Sequence, residues 1–150
     1  MKTLIFINQK GGVGKTLSTL SVGAALHRKG YRVLLADLDP QGDLGTAAGV
    51  EPDESDATMY EVLKGEAKAS DAIVTAPGGY DIIPTDIRQS AAELELAPVI
   101  GRDFLLRNAL REVKDNYDFA LIDSPRSLSI ITIMGLTAAD GVIVTLRADY

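Results

Sequence analysis

The sequence predicts an α/β fold, a doubly wound, mainly parallel sheet flanked by helices. Three observations predict it. Apolar residues fall in near-continuous runs rather than in alternation, which suits strands buried on both faces. Stretches of helical character separate those runs. The polar motifs follow strand ends, where open α/β sheets place their ligands.

Strands are expected at residues 3–7, 32–36, 119–122 and 142–146, with a shorter one at 80–84. A helix over 15–29 closes at Gly30 and a second over 58–64 closes at Gly65. A third, over 102–115, carries Phe104, Leu105, Ala109, Leu110 and Val113. Thr58 and Glu61 have the spacing of a capping box, each side chain satisfying a backbone donor at a helix start. The acidic segment 51–56 reads as a solvated loop.

The chain has 150 residues, the length of one domain, so 1–150 is read as a single unit. Its 46% hydrophobic and 24% charged residues are those of a globular protein with a substantial core. It contains no cysteine, which excludes disulfides, thiolate metal sites and cysteine nucleophiles. The N-terminus lacks the layout of a signal peptide, and no apolar run approaches the roughly 20 residues of a membrane span. A cytoplasmic location is therefore expected. A net charge of −6 gives no overall attraction to nucleic acid or anionic lipid. Arg107, Arg111 and Lys114 are interleaved with Asp103, Glu112 and Asp115 and read as a solvated face. His27, the one histidine, complements the dipole at a helix end.

Between the first strand and the first helix stands KGGVGKT, Lys10 to Thr16. Gly11, Gly12 and Gly14 let the backbone curl so that successive N–H groups can face phosphate oxygens, and the following helix adds its positive end. Lys15 would reach the β- and γ-phosphates, and the Thr16 hydroxyl would be a ligand of Mg²⁺. The strict pattern G-x-x-x-x-G-K-T would need glycine where this chain has Gln9.

The second strand runs into Asp37-Leu38-Asp39-Pro40-Gln41-Gly42, and residues two apart in an extended chain share a face. Pro40 and Gly42 would build a polar turn in any α/β protein. Beside a phosphate loop, however, two carboxylates can serve a Mg²⁺ shell and orient a water for in-line attack. A third carboxylate, Asp123, ends the run Phe119-Ala120-Leu121-Ile122.

The loop, with Lys10 added and Gln9 in place of glycine, resembles the deviant Walker A motif K-G-G-x-G-K-[ST] of the ParA/MinD family of P-loop ATPases. Asp37 to Gly42 resembles that family's D-x-D-P-Q-G switch, and Asp123 its Walker B carboxylate. The resemblance implies a P-loop NTPase fold and an ATPase that uses ATP and Mg²⁺. It assigns Lys10 to a partner's bound phosphates across a dimer interface, Lys15 to the phosphates and Asp39 to the attacking water. It implies Thr16, Asp37 and Asp123 at the metal, and nucleotide contacts at Gly11, Gly12, Val13, Gly14, Lys15, Thr16 and Leu17. Similarity extends to residues 83–86, 92–96 and 136–140.

Two departures stand out. Leu17 replaces a threonine that reaches the α-phosphate in many relatives, which implies weaker nucleotide affinity. Ser124-Pro125-Arg126-Ser127 has Arg126 where the family carries a second proline. Relatives continue well beyond the position matching Tyr150, so the chain is expected to lack the C-terminal part of the family fold.

The branch implied is a ParA-like ATPase, an ATP-dependent homodimer that holds non-specific DNA and answers to a ParB-like activator in plasmid or chromosome partition. A MinD-like ATPase on a membrane, a tyrosine kinase with Tyr150 at its tail, and a nucleotide-binding adaptor without turnover are the other readings.

Overall fold

The computed structural model describes residues 1–148. In chain order the elements are β1 (Lys2–Ile7), α1 (Lys15–Arg28), β2 (Val33–Asp37), α2 (Asp43–Ala48), α3 (Met59–Lys64), β3 (Val74–Thr75), β4 (Asp81–Ile83), α4 (Gln89–Leu96), α5 (Leu105–Glu112), β5 (Phe119–Asp123), α6 (Ile130–Ala138) and β6 (Gly141–Val144). The strands form one sheet in the order β3-β4-β2-β5-β1-β6, parallel throughout except for β3 against β4. This is the expected doubly wound sheet. Tyr150, on which the tyrosine-kinase reading turns, lies outside the described residues.

Side-chain alternation along the strands divides the core between the two faces of the sheet. Ile5, Leu34, Ala36, Ile83 and Ile122 pack with Met59 and Leu63 of α3, Ala92 of α4, Leu106 of α5 and Met134 of α6. Their neighbours Phe6, Leu35, Ile82 and Leu121 pack on the other face with Leu44 of α2 and Leu20 and Leu26 of α1. Each fully buried Leu, Ile, Met or Phe among these contributes about 1.5–3 kcal/mol. The helices on both faces explain why β2 is buried at every position.

Helix α1 lies close to the sheet because Gly23 presents no side chain to it. A Cβ added there would sit 2.6 Å from Leu35 Cδ2 and 3.5 Å from Leu121 Cδ1, both on fully buried residues. Gly23→Ala is therefore expected to lower stability by about 1–3 kcal/mol through overpacking, measured by urea denaturation. An unchanged midpoint would show that the leucine side chains can move aside.

The expected capping box forms. Thr58 N donates to Glu61 Oε2 at 2.9 Å, and Tyr60 N donates to Thr58 Oγ1 at 3.3 Å. Gly65, at φ 73°, closes that helix in the left-handed conformation that glycine adopts without penalty.

Three expectations need correction. The last strand ends at Val144, not 146, and it is not buried on both faces: Val142 and Val144 are half exposed, at 51% and 58%, because β6 is the sheet edge among the described residues. The helix over 102–115 is α5 flanked by 3-10 turns at Arg102–Phe104 and Lys114–Asn116. Val113 leaves helical dihedrals at φ −110°, ψ 5°, and Asn116 N closes a tight turn on Val113 O at 3.0 Å. The acidic segment contains a 3-10 turn, Pro52–Glu54, in which Glu51 N donates to Glu54 Oε1 at 2.8 Å.

Among the described residues no helix is long and apolar enough to cross a membrane.

Candidate phosphate-binding site

The carboxyl ends of β1, β2 and β5 meet in register, with Asp37 beside Asp123 and Asp123 beside Phe6. The polar motifs that follow these strands are thereby brought together. Asn8, directly after β1, fixes the start of the loop: its Nδ2 donates to Thr145 O at 2.6 Å, and its Oδ1 accepts from Lys10 N at 2.8 Å. Gly12 and Gly14 adopt φ 71° and 79°. Side chains rarely tolerate that region, so glycine is needed at both positions for the loop to curl. Gly14 is the N-cap of α1 and makes no side-chain capping bond, and the first turn carries no acidic residue. The positive helix end and its N–H groups thus face the loop without a protein anion of their own helix.

Lys15, the first residue of α1, is 7% exposed. Next to it Thr16 Oγ1 donates to Asp123 Oδ2 at 2.6 Å, which joins the loop to the end of β5. The other oxygen of Asp123 and Oδ2 of Asp37 are buried without a hydrogen-bond partner among the described residues. Such atoms are costly unless something else satisfies them. Asp37 Oδ1 accepts from Asp39 N at 3.0 Å, and Asp39 Oδ1 accepts from Gln41 N at 3.1 Å. Asp37 therefore lies wholly beneath the site, whereas Asp39, half-buried, reaches its surface.

Burial raises both inner carboxyls. Asp37 lies well above the usual carboxylate range, first through desolvation and then through the charge of Asp123. Asp123 is pushed up to about 6, mainly by burial; the Thr16 hydroxyl opposes this and the charge of Asp39 adds to it. Such carboxyls gain most from a cation placed beside them.

Gly12, Val13, Gly14, Lys15, Thr16 and Leu17 surround a recess of about 230 Å³ with Asp39, Asp43 and Arg126. That is below the usual range for a drug-sized ligand and suits the phosphate end of a nucleotide. Leu17 is 68% exposed and offers no hydroxyl to the recess. Lys10 is exposed at the loop entry and does not line it. Among the described residues no cluster of three His, Cys, Asp or Glu side chains could hold a metal ion by itself. Thr16 and Asp123 offer oxygens of the kind that would suit nucleotide-bound Mg²⁺, which takes one or two ligands from protein and the rest from phosphate and water.

Asp43 was not anticipated from sequence. It opens α2 just after the left-handed Gly42, so the turn begun by Asp39 carries it to the same recess. Its signal was an acidic residue four positions past Asp39 at a helix start. Arg107, Arg111 and Lys114 instead flank a cleft with Met1, Thr3 and Asp140 at the opposite end of the strands. His27 sits in the last turn of α1 as expected, its ring edge-on to Tyr80 at 6.3 Å.

Comparison with known proteins agrees with this geometry. The AAA domain family matches residues 1–150. The chain is 42% identical over 150 residues to the Bacillus subtilis sporulation initiation inhibitor protein Soj, covering 99% of this chain and 59% of that protein. It is 43% identical over 153 residues to the Caulobacter vibrioides chromosome partitioning protein ParA, covering 100% of this chain and 57% of that protein. Among solved structures, cobyrinic acid a,c-diamide synthase from Mycobacterium smegmatis, with bound ATP analogue and magnesium, superposes with a TM-score of 0.97 at 42% identity. That superposition covers 100% of this chain and 62% of that one. The chain thus spans about three fifths of the length of these relatives. With its entire length matched by the family model and relatives above 40% identical along it, the chain belongs to the ParA/MinD family of deviant Walker A P-loop ATPases.

Proposed function

We propose that this chain is the nucleotide-binding portion of a ParA-like ATPase, a cytoplasmic switch that closes as a homodimer on Mg-ATP and acts in the partition of DNA or the positioning of cargo. The observation that supports this most is the bond from Thr16 to Asp123 at the edge of a glycine-rich recess that also holds Lys15 and Asp39. The bound ATP analogue and magnesium of the Mycobacterium smegmatis structure support the choice of ligand. Non-specific DNA and a ParB-like activator are the partners that the partition branch implies.

In this mechanism the loop N–H groups and Lys15 hold the phosphates, and Thr16 and Asp123 orient the metal's shell. Bound Mg²⁺ supplies neutralisation of the charge on the β- and γ-phosphates. Asp39, held through its backbone N–H by Asp37, positions the water that attacks the γ-phosphate. Lys10 at the loop entry contacts the phosphates bound by the partner protomer, so that the nucleotide is part of the dimer interface.

Asp39→Ala is expected to slow turnover about tenfold to a hundredfold, below or at the lower end of what a positioned proton acceptor provides, while Mg-ATP binding persists. Dimers should then accumulate, and adding Lys10→Ala should return them to monomers in sedimentation velocity. Unchanged turnover in Asp39→Ala, or dimers that persist without Lys10, would contradict the proposal.

A further inference from the structure

Arg126 stands where the family pattern has a proline, and the structure gives that change a specific place. A Cβ built on Gly11 would lie 3.2 Å from Arg126 Nη1, 3.4 Å from Cζ and 3.5 Å from Nε. Three nearly equal distances put the guanidinium broadside over the first glycine of the phosphate loop. Gly11 is not among the glycines with positive φ. Its missing side chain therefore provides room for the arginine rather than a special backbone conformation.

The loop that carries Arg126 is anchored on both sides. Ser124 Oγ, buried, donates to Phe6 O at 2.7 Å, and Thr132 Oγ1 donates to Ser127 O at 2.6 Å. Pro125 between them is buried and restricts the backbone further. The guanidinium borders two adjoining recesses: that of the phosphate loop and one lined by Asp39, Pro40, Gln41 and Asp43. Although Asp39 and Asp43 line both recesses, Arg126 forms no ion pair or hydrogen bond among the described residues. Its five donors, in a planar fork that suits phosphate, are available at the mouth of the site.

We propose that Arg126 is a phosphate ligand supplied in cis, which contacts the terminal phosphate of the nucleotide bound by its own chain and makes affinity depend on the γ-phosphate. The assignment to the terminal phosphate follows from its place beside Asp39, the residue that positions the attacking water. It rests on the nucleotide reading of the loop given above.

The test is calorimetric titration of Mg-ADP and of the magnesium complex of a non-hydrolysable ATP analogue, at a protein concentration where the chain sediments as a monomer. Wild type, Arg126→Gln, Arg126→Lys and Lys15→Ala are compared. Arg126→Gln is expected to weaken the ATP analogue about tenfold to a hundredfold and ADP less than about threefold, the scale of one or two charge-assisted hydrogen bonds. Arg126→Lys should restore part of the difference. Arg126 is exposed, so the melting temperature should not change. Equal weakening of both nucleotides, or no weakening of either, would overturn the proposal while Lys15→Ala still weakens both. A wild-type chain that binds neither nucleotide, with Lys15→Ala no different, would overturn the nucleotide reading itself and this proposal with it.

Discussion

Lys15→Ala is expected to weaken Mg-ATP binding about a thousandfold while the fold persists. The lysine begins α1 inside the phosphate recess and is almost fully buried. Charge-assisted hydrogen bonds contribute about 1.5–3 kcal/mol each. Two such contacts to phosphate give about 4 kcal/mol, and each 1.4 kcal/mol is a factor of ten. In the nucleotide-free chain the lysine's charge also holds down the pKa of Asp123, so its removal leaves Asp123 with less compensation. Equilibrium binding of a fluorescent ATP analogue would measure the loss, with thermal melting as the control for folding. Affinity within about threefold of wild type would remove Lys15 from the site.

Asp123→Asn is expected to act in opposite directions on stability and binding. The carboxyl titrates at about 6 in the folded chain against an ordinary value of 3.8. The folded state therefore holds this proton more tightly than the unfolded state. Between about pH 4 and 6 the group's contribution to stability falls as pH rises, and above that window the loss is complete. Each pKa unit corresponds to 1.36 kcal/mol, so the nucleotide-free chain carries a penalty of about 2–3 kcal/mol from Asp123 at neutral pH. Asparagine removes it. The variant should be more stable than wild type at pH 7 by about 2 kcal/mol, and the gap should narrow by about 1–2 kcal/mol at pH 5. Asp37 is raised for the same reason and keeps some pH dependence in both chains. Magnesium-dependent ATP binding should fall about a hundredfold in the variant, because the oxygen that faces Thr16 no longer bears charge. Guanidinium denaturation at the two pH values reads the stability; a variant less stable than wild type at pH 7 would contradict the account. A destabilised carboxyl of this kind is what a cation site requires, since the ligand then supplies the missing compensation.

The sequence made the centre of the fold legible because buried parallel strands are written as unbroken apolar runs. The expected β1, β2 and β5 agree with the structure within one residue at each end. Elements whose signal is weaker were not legible. β3 is two residues long, and α6, IITIMGLTA, is apolar all round and so has no helical periodicity to detect. α2 is six residues long and follows the switch segment without a side-chain cap. For β6 the run was visible but its burial was not, since edge position depends on which strands pair.

The site divides in the same way. Gly12, Gly14, Lys15, Thr16, Asp39 and Asp123 could be named because their spacing is local and follows strand ends. Arg126 could be seen only as a departure from a pattern, because its contact with Gly11 spans most of the chain. Asp37 and Asp39 were expected to share one face; the structure separates their exposure, with one carboxyl fully buried and holding the backbone of the other. That distinction depends on the end of β5 packing beside β2, which local spacing does not contain.

The most direct measurement is a calorimetric titration of ATP into this chain, with magnesium and with the metal chelated. The expected result is one site per chain whose affinity drops sharply without Mg²⁺, as the contact between Thr16 and Asp123 requires. A chain shown to be folded by circular dichroism that takes up no Mg-ATP, or binds ATP equally with and without the metal, would contradict the account of this recess as a Mg-nucleotide site.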